Sequence, residues 1–274
     1  MYSFQYHAPT SLAEANTLFT QADDPIYIAG GMTLIPSMKQ RLAQPSDVID
    51  LAAVDELRGV TVNPDSVVVG ALTTHNQVAE HQALGSVLPV LAKVAAGIGD
   101  NQVRNRGTLG GSLANSDPAA DYPAAVVALG ATFVTNQRRI HADEFFVDLF
   151  ETALSPNEII LRVEFPVPQR AAYAKFANQA SGYAVVGVLV ADFGDSIRVG
   201  VTGAGPCAFR ACGMEQLLLA DFSAGALANS DVPNAGFNSD MHASADYRAH
   251  LVRVMGQRAV QRLLEVTLCR GLTR

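Results

Sequence analysis

Apolar positions along this chain recur at two periods, and each change of period marks a new element. Leu12, Ala15, Leu18 and Phe19 share one helical face behind the capping box Ser11-Leu12-Ala13-Glu14. Within the apolar run Pro25-Ile26-Tyr27-Ile28, residues 26–28 read as a short strand that delivers Ala29-Gly30-Gly31-Met32-Thr33. Thr33 is placed to cap a helix reaching Leu42, with Pro36 accommodated in its first turn. Residues 48–51 give another strand. Residues 59–62 and 66–71 are β-rich about a turn at Asn63-Pro64-Asp65. Residues 74–81 and 87–98 read as helices, the second with an apolar stripe from Val87 to Ile98 that faces a core.

Residues 99–121 lack periodicity and are rich in Gly, Asn, Asp, Ser and Pro, which predicts a long loop. Long loops inside compact domains usually carry function. A helix over 122–129 and strands over 131–135 and 158–165 close this second unit, and Pro166-Val167-Pro168 ends it. Residues 183–193 and 196–202 read as adjacent strands about Gly194-Asp195, followed by a helix over 211–219. Residues 231–243 are an exposed connection. Ser244 caps a last helix ending near Gly271, with Leu251, Met255, Leu263 and Val266 inward and Arg253 and Arg262 outward. The expected units are 1–57, 58–168 and 169–274.

Composition narrows the partners. Lys plus Arg number 19 and Asp plus Glu 26, so the net charge of −7 argues against nucleic acid and anionic membranes. The start, MYSFQYHAPT, has neither the basic nor the apolar region of a signal peptide, and no apolar run is long enough to span a bilayer. The three cysteines, Cys207, Cys212 and Cys269, are too few for an iron–sulfur cluster and read as reduced thiols in a cytoplasmic protein. No Cys/His metal constellation stands out, and His75 and His81 read as surface residues on one helix.

The two glycine pairs carry the chemistry. Gly30-Gly31 and Gly110-Gly111 each permit positive φ and expose backbone N–H groups, and Thr33, Thr108 and Ser112 add hydroxyl donors. Two such bends fit a ligand with two phosphates and hydroxyls along its length. No Gly-x-x-x-x-Gly-Lys-Ser/Thr run exists, so a Walker-type site is excluded. No Gly-x-Gly-x-x-Gly follows a strand, and Gly203-Ala204-Gly205-Pro206 is spoiled by a proline without an N–H. Asp117 is placed to cap a helix at Pro118.

These segments resemble the FAD-binding medium subunit of the molybdenum hydroxylases, the xanthine dehydrogenase and aerobic carbon monoxide dehydrogenase group. AGGMTLIPSMKQRLA from Ala29 and IGDNQVRNRGTLGGSLANSDPAADYPA from Ile98 resemble its two FAD segments. SGYAVVGVLV from Ser181 and ADYRAHLVRVMGQRAVQRLL from Ala245 resemble its C-terminal domain. The resemblance implies an α+β fold. Two subdomains of the vanillyl-alcohol-oxidase (PCMH) type hold the FAD, and a smaller C-terminal domain follows.

It also implies roles by position. Ala29, Gly30, Gly31, Met32, Thr33 and Leu34 match the first loop; Thr108, Gly110, Gly111 and Ser112 match the second. Asp121 matches a carboxylate that contacts the cofactor's hydroxylated part, Ile98 and Ile160 match apolar lining, and Tyr183 matches an aromatic over the flavin. A side chain at Gly110 is then expected to occupy the space of the diphosphate. Two departures are visible. Met32 stands where carbon monoxide dehydrogenase-like subunits often carry His. The cation often found just before the Tyr183 segment is missing from Phe176-Ala177-Asn178-Gln179, with Lys175 a few residues early.

No catalytic side chain is expected, because the cofactor supplies the redox chemistry. The implied partners are a small subunit with [2Fe–2S] clusters and a large subunit with molybdopterin, and the implied acceptor is NAD or a quinone. Two alternatives stay open: a self-standing FAD oxidase, and a degenerate scaffold subunit without flavin.

Overall fold

The computed structural model describes the backbone of residues 1–271 and the side chains of residues 1–265. Val266 and Cys269 therefore lie outside the described side chains. β1 (Gln5–His7), β2 (Pro25–Ile28) and β3 (Asp47–Asp50) form a parallel sheet with β3 in the middle. α1 (Leu12–Gln21) joins β1 to β2, and α2 (Leu34–Lys39) joins β2 to β3. Ser11 caps α1 through Glu14 N, but the Glu14 carboxylate reaches back to Thr10 N, so the reciprocal half of the expected box falls one residue early. Thr33 precedes α2 without a side-chain cap, and the helix stops at Lys39, leaving Leu42 exposed.

The second sheet runs β4 (Val60–Val62), β5 (Ser66–Gly70), then β10 (Ile160–Pro166), β6 (Thr132–Thr135) and β7 (Arg139–His141), all antiparallel. A small hairpin, β8 (Phe146–Asp148) with β9 (Glu151–Thr152), sits outside it. Six helices lie between β5 and β6: α3 (His75–Glu80), α4 (Gln82–Val87), α5 (Pro89–Ala96), α6 (Asn101–Arg106), α7 (Leu109–Asn115) and α8 (Asp121–Ala128). The helix expected over 87–98 breaks at Leu88, because Pro89 disfavours α geometry in the residue before it. Pro89 instead starts α5.

The long loop expected over 99–121 is corrected: most of it is helical. Asp100 caps α6 by accepting from Val103 N, and Thr108 caps α7 by accepting from Gly111 N. Arg104 covers the carbonyls of Ile98 and Gly99. Caps and a guanidinium thus supply what hydrophobic periodicity does not. The Asp117 cap is corrected as well. Its carboxylate accepts from Ala119 N in a turn, and α8 begins only at Asp121.

The third sheet is β11 (Arg170–Ala177), β12 (Ala184–Asp192), β13 (Ile197–Thr202) and β14 (Phe209–Arg210), antiparallel in that order. α9 (Cys212–Ala220) and α10 (Ala245–Gly271) cover one face through Met214, Leu218, Leu251, Met255 and Leu263. Leu189 and Ala191 from the opposite face join the core under the second sheet. There α8 packs so closely that a Cβ on Gly200 would stand 2.2 Å from Ala124 O. Ser244 caps α10 as expected, accepting from Tyr247 N at 3.3 Å. Among the described residues no helix is long and apolar enough to cross a membrane.

Candidate functional site: a cleft between the first two sheets

A cleft of about 990 Å³ opens between the first sheet and the second unit. Ala29, Gly30, Gly31, Met32, Thr33 and Leu34 line one side; Ile98, Thr108, Gly110, Gly111, Ser112 and Asp121 line another; Ile160 and Tyr183 complete the set. Every residue singled out from the sequence thus borders one space. That space is at the upper end of ordinary ligand sites and long enough in its lining for a dinucleotide.

The first bend is open. β2 ends at Ile28, and Gly31 takes φ +72°, which glycine adopts without strain. Among the described residues, the N–H groups of Gly30, Gly31, Met32 and Thr33 donate to no protein acceptor. Four successive free donors form a concavity suited to phosphate oxygens. Gly30 has a second reason to be glycine: a Cβ there would stand 2.0 Å from Arg106 O. The bend therefore crosses directly over the turn that leads to the second pair.

The second pair differs. It is the first turn of α7, and its donors are already engaged. Leu109 N donates to Thr73 O, Gly110 N to Ala71 O, Gly111 N to Thr108 Oγ1 and Ser112 N to Thr108 O. A Cβ on Gly110 would stand 2.6 Å from Ala71 Cβ, so this glycine serves close packing of α7 on the chain after β5. The collision with a diphosphate expected from the sequence is replaced by a collision with protein. What α7 offers the cleft is its glycine surface with Ala114, and the polar side chains of Ser112 and Asn115.

His75 is corrected from surface to buried, at 4% exposure. Its backbone N–H bonds Gly107 O, and its ring packs against Tyr122 with centroids 5.3 Å apart. Burial, then the nearby Arg104 charge, pushes its pKa down to about 4, so the ring is neutral. Nδ1 has no partner although His75 borders the cleft. His81 is half-buried and caps α4 through Nδ1.

Asp121 is not a lone carboxylate awaiting a diol. Oδ1 accepts from Tyr173 Oη at 2.5 Å and Oδ2 from Lys175 Nζ at 2.9 Å. Burial raises its pKa, with Lys175 and Tyr173 opposing that rise. Lys175 also donates to Gly97 O and Gly182 O, tying together the Ile98, Asp121 and Tyr183 walls. Lys175, on a strand not expected from the sequence, does not itself line the cleft: its ammonium is shared among Asp121, Gly97 O and Gly182 O. Tyr183 is half-exposed at the mouth.

The geometry fits FAD. Free amide donors stand at the glycine bend, an apolar floor includes Ile28, Leu72 and Ile160, and polar groups lie at the far end. Residues 2–168 match the family described as "FAD binding domain in molybdopterin dehydrogenase". The chain is similar to the carbon monoxide dehydrogenase medium chain of Hydrogenophaga pseudoflava, with 34% identity over 94% of this chain and 96% of that one. It is 35% identical to the nicotine 6-hydroxylase medium subunit of Paenarthrobacter nicotinovorans, over 94% and 96%. Among solved structures, quinoline 2-oxidoreductase from Pseudomonas putida 86 matches with a TM-score of 0.87 and 30% identity, over 96% of this chain and 98% of that one.

This is an FAD-binding oxidoreductase subunit of α+β fold. More particularly, the chain belongs to the medium subunits of the molybdenum hydroxylase family, the group that includes carbon monoxide and xanthine dehydrogenases.

Proposed function

We propose that this chain collects electrons on FAD and passes them onward within a three-subunit molybdenum hydroxylase. The donor is an iron–sulfur small subunit served by a molybdopterin large subunit, and the acceptor is NAD or a quinone. Bound FAD supplies the ability to store two electrons and release them singly or together. The observation that carries the reading is the convergence of every family-matched residue on one cleft, with four free N–H groups at Gly30–Thr33.

In this reading Gly30, Gly31, Met32 and Thr33 hold the diphosphate through backbone donors, and Ser112 adds a hydroxyl. Asp121 keeps lone pairs beyond those used by Tyr173 and Lys175, so it still accepts from a hydroxyl. Tyr183 closes the outer end. The chain divides at about residues 57 and 168, each unit holding its own sheet. A cytoplasmic location goes with it, supported by the free thiols of Cys207 and Cys212.

The visible spectrum of the natively isolated complex tests this. Flavin bands together with iron and molybdenum are expected. Flavin without metals favours a self-standing oxidase, and a colourless folded protein overturns the reading in favour of a scaffold.

A further inference from the structure

A second, smaller cavity of about 240 Å³ lies next to the cleft. Asp117, Ser181 and Tyr183 line both spaces, so the Tyr183 segment is their common wall. The remaining walls come from the segment before α8, the third sheet, the exposed connection with Asn238, Asp240 and His242, and α10 with Arg248. The cavity is built at a welded junction. Ala184 N donates to Ala119 O at 3.1 Å, and Gly203 N to Pro118 O at 2.7 Å.

Its charge pattern is informative. Arg248 is 4% exposed and donates to Val185 O, Gly203 O and the Asp240 carboxylate, each at 2.7 Å. Asp240 therefore neutralises it, and Asp117 adds a second carboxylate on the wall. No surplus positive charge remains for a diphosphate or carboxylate ligand. Donors, by contrast, are in surplus. Arg248 Nε is buried without a partner, the Tyr183 hydroxyl has none, and Ser181 Oγ only accepts, from Tyr183 N. The volume takes one substituted six-membered ring and falls below the ~300 Å³ where sites for larger ligands begin.

We propose that this cavity is the acceptor subsite, and that its ligand is a neutral ring bearing carbonyl oxygens, a quinone headgroup. The assignment rests on the function proposed above and chooses between its two acceptors. A nicotinamide held in this cavity would be kept by the shared Tyr183 wall from the roughly 3–3.5 Å approach that hydride transfer needs. Electrons cross an aromatic side chain singly. The reaction balances as one reduced flavin giving two electrons to one quinone. The flavin's two protons leave to water, and two protons from water complete the quinol.

The test is calorimetric titration of the natively isolated, flavin-carrying complex with a short-chain benzoquinone and, separately, with NAD. His242 lies on the exposed rim and borders only the small cavity, so His242→Trp fills it without reaching the cleft. Arg248→Met removes the orphaned donor. Benzoquinone is expected to bind the natural protein and to bind each variant roughly tenfold more weakly or worse. Flavin content in His242→Trp is expected to stay unchanged. Benzoquinone affinity unaltered in His242→Trp overturns the assignment, and so does NAD binding that the same substitution abolishes. A natural protein without flavin removes the proposed function and the acceptor role together, a result distinct from either of those.

Discussion

Among the described residues, the four successive N–H groups of residues 30–33 lack a protein acceptor, whereas Gly110 N donates to Ala71 O and Gly111 N to Thr108 Oγ1. The same dipeptide plays two roles because its backbone setting differs. The first pair leaves a strand at φ +72° and donates nothing inward. The second lies inside a capped helix packed so closely that a Cβ on Gly110 would stand 2.6 Å from Ala71 Cβ. An identical motif therefore leaves free donors at the cleft in one place and makes a packing seam in the other. Substitutions on the seam side, and at Gly30 where a Cβ would meet Arg106 O, should act on the fold first, and substitutions at the exposed Met32 of the bend should act on the cofactor first.

The largest effect is expected at the far end of the seam side, where α8 begins. Lys175→Met strands the buried Asp121 carboxylate and unties Gly97 and Gly182. Removing one partner of a buried ion pair costs about 3–5 kcal/mol. Chemical denaturation without flavin should show the whole loss. A flavin-free chain as stable as the natural one would mean that Asp121 is not held as described.

His75 gives the seam side a pH signature. Its folded pKa of about 4 lies below the ordinary 6.5. The unfolded ring therefore takes up a proton first as pH falls. Its contribution is complete above about pH 6.5 and declines toward pH 4, with about 3 kcal/mol lost in all. His75→Phe should flatten that acid limb. A limb of unchanged steepness would show that other groups carry it.

How much of this contrast is legible in the sequence depends on the signal each residue leaves. Both glycine pairs stand out beside Thr33, Thr108 and Ser112, and all the matched residues do border one cleft. The helicity of the second segment is hidden, because α6 and α7 are held by Asp100, Thr108 and Arg104 and not by an apolar stripe. The signal available is the cap residue itself, with Thr108 three positions before Gly111. Lys175 looks too early in the sequence until the strand period is applied. Tyr173 and Lys175 are two apart on β11, so they share a face and both reach Asp121. Burial of His75 leaves no sequence trace, since it arises from Gly107 and Tyr122 closing on the ring.

Gly110→Val probes the seam directly. The added side chain meets Ala71, and overpacking of this kind costs about 1–3 kcal/mol. Flavin content should fall in step with stability, and excess FAD should restore both together. Lost flavin with undiminished stability of the flavin-free chain would assign Gly110 to the ligand after all, and the contrast between the pairs would disappear.

The smallest effect belongs to the open bend, and it has the opposite sign. Met32 is 37% exposed and borders the cleft, and its thioether cannot donate a hydrogen bond. Met32→His adds a donor beside four free N–H groups without disturbing any packed neighbour. A hydrogen bond to a phosphate or hydroxyl contributes about 0.5–1.5 kcal/mol, so FAD should bind roughly threefold to tenfold more tightly. Stability of the flavin-free chain should stay within about 0.5 kcal/mol, as for other exposed substitutions. Flavin fluorescence titration measures the first quantity and denaturation the second. Tighter binding without added stability is the pattern of a ligand cradle. Added stability without tighter binding would make the bend a second seam.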